Sequence, residues 1–264
     1  MPKADDARYL GLPHYLAGLV DAGGEAHLLA AGKPGWIVVR AQVKPPEASG
    51  DYSHLADKGL GVIVVLSNSG APQAAFPNSF DYDLFAQQCA NFVKKSKGAR
   101  IWVIGNEPNA ARERAMYDGA VNSGELVTPE MYARCFNLAR KAIRALPGHE
   151  HDFVVPAAIA PFNTQTTYPG NPSGDWVRYF ADMLFQITAQ GGNADALALH
   201  AHTHGYDANF ITSDAKGVNQ FQNRNWHFRA YRDFLAAVLP TMRNLPVFIT
   251  AASPLEPGWT NANR

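Results

Sequence analysis

The stretch Arg100-Ile101-Trp102-Val103-Ile104-Gly105-Asn106-Glu107-Pro108-Asn109 decides the fold. Four large apolar residues run straight into Gly-Asn-Glu-Pro. An apolar run this short, stopped by Gly and Pro, reads as a buried strand of a parallel sheet. A carboxylate just past its end is carried by a rigid element. It also faces the open end of the sheet, where α/β folds keep their chemistry. Taken alone, Glu107 fits equally well as a capping residue in an ordinary strand-to-helix loop, and the rest of the chain must decide.

Upstream lie three more strand signals. Residues 16–20 are apolar and end in Asp21-Ala22-Gly23-Gly24. Residues 36–39 (Trp-Ile-Val-Val) follow a short helical stretch over 25–31. Residues 61–66 form a clear third strand that closes on Ser67-Asn68-Ser69-Gly70. Residues 81–97 then read as a helix, with Phe85, Cys89, Phe92 and Val93 at i, i+4, i+7 and i+8. Downstream, Thr128-Pro129-Glu130 has the form of a helix start: N-cap, proline at the first position, acid in the first turn. Strand five is expected at 153–155, a helix at 175–190, strand six at 196–200, a helix around 228–239 and strand seven at 246–250.

Seven strand-then-helix units in one order imply a parallel sheet. Right-handed crossovers repeated in one direction close such a sheet into a (β/α)8 TIM barrel, here a single domain over 1–264. A doubly wound open sheet would want a glycine-rich phosphate turn after strand one. Asp21-Ala22-Gly23-Gly24-Glu25 matches that turn poorly. Only seven units are evident, so the eighth is expected from a missing C-terminal segment or from a complementary fragment acting as partner.

Composition narrows the function. Hydrophobic residues make up 47% and charged residues 17% of the 264, enough for a large core. Lys+Arg and Asp+Glu are 23 each, so the chain has no basic surplus with which to hold nucleic acid. No apolar run approaches the ~20 residues of a membrane span. The N-terminus lacks the apolar centre of a signal peptide, so the chain is expected in the cytoplasm, or outside the cell with a leader removed. Cys89 and Cys135 sit among apolar neighbours in helical segments and read as reduced packing residues.

At the end of the fourth strand, Asn106-Glu107-Pro108 resembles the Asn-Glu-Pro motif of glycoside hydrolase clan A, the retaining β/α-barrel glycosidases that include the cellulase-like families. The resemblance spans strands one to seven and is sharpest over 102–109, 200–205 and 246–254. It implies an acid/base role for Glu107, binding of a sugar hydroxyl by Asn106, and a nucleophile Glu at the end of strand seven. Retaining hydrolysis needs two carboxylates about 5–5.5 Å apart across the scissile bond. Here the chain departs from the family: Val247-Phe248-Ile249-Thr250-Ala251 puts alanine where the pattern calls for Glu. Three explanations stand: an engineered Glu-to-Ala change, a natural relative that only binds sugar, or a different nucleophile, with Glu256 the nearest carboxylate.

His200, His202 and His204 alternate past strand six and would share one face if the strand ran on. Imidazoles at i and i+2 can share a metal ion. No Asp or Glu at the end of strand one or five completes a set, so no metal and no cofactor are expected. The resemblance instead implies sugar binding, with His200 first and His202 next. Tyr206, Trp259 and other aromatics near the mouth are candidate stacking platforms. Asn68 and Asp21, at the ends of strands three and one, are candidates for sugar hydroxyls or for loop capping. The chain is thus expected to be a retaining glycosidase acting on a β-linked oligo- or polysaccharide, inactivated at position 251. The alternative is a carbohydrate-binding barrel without catalysis.

Overall fold

Short apolar runs cut off by polar turns become the strands of a parallel sheet. The computed structural model describes residues 13, 15, 17–21, 23–44, 48–69 and 74–255. β1 (Gly18–Val20), β2 (Trp36–Gln42), β3 (Gly61–Ser67), β4 (Ile101–Ile104) and β5 (Phe153–Pro156) pair in that order, all parallel. β6 (Leu197–His200) pairs in parallel with β8 (Val247–Ala251). The short β7 (Thr203–His204) pairs in the same sense with β9 (Pro254–Leu255). Asp195 N–H donates to Val154 O at 3.3 Å, joining the second ladder to the first.

The pleat sends alternate side chains to opposite faces, and each face has its own core. Val38, Ile63, Val65, Ile101, Val103, Phe153, Val155, Ala196, Ala198 and Phe248 come from six strands and share one buried cluster. A flat sheet cannot bring one face of β2 and of β8 together, so the sheet curls as in a TIM barrel. Trp36 of β2 meets Phe248 of β8 edge-on, with ring centroids 5.1 Å apart. Among the described residues no backbone ladder joins β1 to β8.

The other faces are covered by helices: α1 (Glu25–Ala30), α2 (Ser53–Ala56), α3 (Tyr82–Lys95), α4 (Pro129–Arg144), α5 (Trp176–Ala189) and α6 (Ala230–Ala237). α3 packs on α4, α4 on α5 and α5 on α6, forming an outer layer. The stripe Phe85, Cys89, Phe92 and Val93 of α3 is buried, as are Tyr132, Cys135, Phe136, Ala139 and Ile143 of α4. Cys89 and Cys135 are free thiols, and burial pushes both up from their ordinary range. Thr128 caps α4 by accepting the Met131 N–H at 3.3 Å, and Asp175 caps α5 by accepting the Val177 and Arg178 N–H groups. The helices are a few residues shorter than the sequence suggested. α3, for example, stops at Lys95, where the Ser96 hydroxyl donates to Phe92 O at 2.7 Å.

Candidate active site

β4 delivers Glu107. The strand is buried along its length between β3 and β5. Gly105 then turns the chain with φ 78°, and a Cβ there would lie 2.2 Å from the Phe76 ring, so this position requires glycine. Glu107 itself has φ 43°, a left-handed conformation that costs a non-glycine residue about 1–2 kcal/mol. Backbone bonds hold it there: Gly105 N–H to Leu66 O at 2.7 Å and Glu107 N–H to Ala158 O at 3.0 Å.

The Glu107 carboxylate is buried and engaged on both oxygens. Oε1 lies 2.8 Å from His200 Nδ1, and Oε2 accepts from Arg112 Nη2 at 2.6 Å. His200 ends β6, where the pairing with β8 shifts register between Leu199 and His200. Arg112 sits on a 3-10 turn, Ala111–Glu113, and its Nε lies 3.5 Å from Glu113 Oε1. Burial works against the Arg112 charge, but Glu107 and Glu113 outweigh it and hold the guanidinium above its ordinary range. Glu113 is a second buried carboxyl. Burial, and then the charge of Glu107, raise it above its usual 4.5, against the Asn106 hydrogen bond and the charges of Arg112 and Arg40.

Glu107 and Arg112 open onto a cavity of about 280 Å³. His200 and His202 from the β6 end, Ala251, Ala252 and Ser253 from the β8 end, and Arg40 from β2 also line it. Four of the sequence candidates therefore meet on one cavity: Glu107, Ala251, His200 and His202. Asn106 adjoins it, but its side chain turns away, with Nδ2 donating to Glu113 Oε1 at 2.9 Å.

The remaining candidates lie elsewhere. Asn68 lines a separate cavity of about 320 Å³ with Lys44, Asp81 and Tyr117. Asp21 is exposed; its backbone N–H donates to Val38 O at 2.8 Å and closes the end of β1 against β2. Tyr206 is 67% exposed and lines neither cavity. Trp259 and Glu256 fall outside the described residues.

The three histidines do not form one row, because the strand is interrupted between β6 and β7. Ser253 N–H donates to His202 Nδ1 at 3.2 Å. His204 instead stacks on Trp226, with centroids 4.4 Å apart and planes 3° from parallel, and its Nδ1 lies 2.7 Å from Trp226 O. Donor atoms of Glu107, His200 and His202 do lie within 4.8 Å of one another. A cation there would have to replace the Glu107–His200 bond and compete with Arg112, which already neutralises the carboxylate. Among the described residues no helix is long and apolar enough to cross a membrane.

No family model and no curated protein sequence matches the chain. Solved structures do. A glucosidase from Croceicoccus marinus aligns at 10% identity and a TM-score of 0.48, over 84% of this chain and 46% of its own. A β-xylosidase from Caulobacter crescentus aligns at 13% identity and a TM-score of 0.47, over 90% and 52%. An endo-β-1,3-glucanase from Amycolatopsis mediterranei, solved with laminaritriose, aligns at 13% identity and a TM-score of 0.42, over 90% and 70%. The chain thus spans about half the length of the first two.

Sequence reading passed over Arg40, Arg112, Glu113 and Ser253. Three of these carried a signal. Arg112-Glu113 follows Glu107 closely enough for a tight turn to fold the pair back. Arg40 sits two residues after Val38, on the inward row of β2. Ser253 carried none, because its role depends on the register shift between β6 and β8.

Proposed function

We propose that this chain is the barrel of a glycoside hydrolase acting on a β-linked glycan by double displacement, with the nucleophile position held by Ala251. The observation that supports this most is that Glu107 and Ala251, from the ends of β4 and β8, line one cavity with His200 bonded to Glu107. In this reading Glu107 protonates the leaving oxygen and later takes a proton from water. His200 orients its carboxyl. A carboxylate at 251 would attack the anomeric carbon, and alanine cannot.

A carbohydrate-binding barrel is the second reading, and one feature favours it. The 2.6 Å ion pair with Arg112 engages the Glu107 oxygen that would otherwise carry the proton. Under the first reading Arg112, whose side chain is 37% exposed, swings aside when the glycosidic oxygen arrives.

Ala251→Glu separates the two. On aryl β-glycosides the variant is expected to hydrolyse with retention of anomeric configuration, because the covalent intermediate requires that carboxylate. Azide added to the Ala251 protein should attack an activated glycoside instead and give the inverted glycosyl azide. A variant that folds and binds sugar, yet neither turns it over nor differs from the parent, would establish the binding barrel.

A further inference from the structure

The cavity that Asn68 lines shares no residue with the Glu107 cavity. At about 320 Å³ it falls within the range of small-molecule sites. It opens at the same end of the barrel. Lys44 and Asn68 follow β2 and β3 as Glu107 follows β4, and the three strands are parallel. Its other walls are the entry to α3, with Asn78, Asp81 and Gln88, and the loop at 115–117.

These two walls are tied to each other. Glu125 N–H donates to Ala115 O at 3.0 Å, and its carboxylate accepts the Ser79 N–H and the Ser79 hydroxyl, both at 2.6 Å. Met116 stands at the lip, 80% exposed, with φ 61°, a left-handed conformation uncommon for a side chain of its size. Strained backbone that its surroundings hold in place clusters at binding sites.

The lining selects the ligand. Lys44, Asn68, Asn78, Asp81 and Gln88 converge on this cavity, and among the described residues none of their side chains makes a hydrogen bond or ion pair. An apolar ligand would strip them of water and return no bonds. One cation and one anion leave no net charge on the lining to favour a charged ligand. Side-chain amides donate and accept from one planar head, and adjacent hydroxyls of a sugar each donate and accept in the same way. Leu84 and Met116 give the C–H face of a sugar ring an apolar surface to lie against.

We propose that this cavity is a second carbohydrate site, which holds an uncharged stretch of a β-linked glycan outside the Glu107 cavity. This rests on the glycan reading above for the class of ligand. A holding site apart from the reacting one gains affinity only from a chain with sugars to spare, which makes the substrate a polysaccharide.

The test follows the side-chain NH2 signals of Asn68, Asn78 and Gln88 and the Ala251 methyl signal in one NMR titration, so that the two cavities report separately. The probes are laminarihexaose, cellohexaose and methyl β-D-glucopyranoside, with glycerol at matched hydroxyl concentration as control. At least one hexasaccharide should move all three amides saturably. A double variant carrying Asn68→Ala and Gln88→Ala should weaken that binding about tenfold, read at Asn78, because two hydrogen-bonding groups are lost. The Ala251 response to methyl β-D-glucopyranoside should stay as in the parent. Neither replaced side chain bonds the protein, so the variant is expected to fold; circular dichroism checks that, and Gln88→Ala alone repeats the measurement if the pair does not. Saturable shifts at Ala251 with none at the amides overturn the second site and leave the glycan reading standing. Shifts at the amides with none at Ala251 support the second site and count against the glycan reading of the Glu107 cavity. Amide shifts that glycerol reproduces, binding that the variants leave unchanged, or no response to any probe overturns the second site outright.

Discussion

Glu113 is the residue whose energetics most affect the candidate site. It sits behind Glu107, bonded to Asn106 and close to Arg112, with its carboxyl raised by burial and by the neighbouring carboxylate. A carboxyl raised on folding binds its proton more tightly folded than unfolded. It therefore costs no stability below the ordinary 4.5 and destabilises increasingly as pH climbs through the folded value. Glu113→Gln keeps an oxygen for Asn106 and removes the charge. The variant is expected to match its parent at pH 4 and to exceed it in urea midpoint at pH 7. A difference that stays constant across that range would show that Glu113 titrates as it does in water. The sequence could not reveal this group, because the acid is buried by a 3-10 turn and by Phe76, whose N–H donates to Glu113 O. Glu107 and His200 were legible because each directly ends an apolar strand. Asn106 was legible in place but not in direction: its amide turns toward Glu113, an acid seven residues on whose proximity only the turn creates.

At the scale of elements, apolar runs and caps spelled out the strands and helices, while long-range polar ties set how they dock. β4 appeared at Ile101–Ile104, as its apolar run implies, and α4 begins where Thr128-Pro129 said it would. The short β7 and β9 left no such trace, since two residues cannot show a period and their pairing depends on the irregular β6–β8 register. Asp195 is the clearest docking tie. It is 2% exposed, precedes β6, and accepts from Arg140 and Arg144 of α4 and from the Val154 N–H of β5. Asp195→Ala would strand two partly buried guanidinium groups and an amide donor. Removing one partner of a buried charge network costs about 3 kcal/mol. The urea midpoint should fall accordingly at unchanged slope, with Asp195→Asn losing less because its oxygen still accepts. A loss below about 0.5 kcal/mol would mean that α4 is held by its apolar stripe alone.

The whole molecule is a curled sheet whose two ends meet without pairing. Phe248 reaches Trp36 across the interior, yet among the described residues β1 and β8 share no backbone ladder. The outer side of that seam is apolar and wet along β8: Val247 and Ile249 are 41% and 42% exposed. Elsewhere the outward face of the strands lies under a helix, so these two residues have the composition of a covered surface, and among the described residues nothing covers them. An unpaired edge beside exposed β-branched side chains is a template for another strand. This chain by itself is therefore expected to self-associate as concentration rises. A strand-and-helix unit that fits the seam, supplied in cis or in trans, should suppress that association. Replacing Val247 and Ile249 with lysine should also suppress it, because charge on an edge strand disfavours pairing, and the inward residues Phe248 and Thr250 are left untouched. Sedimentation velocity over a concentration series reads the outcome directly. A parent chain that sediments as a monomer throughout, and a double lysine variant that behaves identically, would show that the curled sheet closes well enough on its side-chain contacts alone.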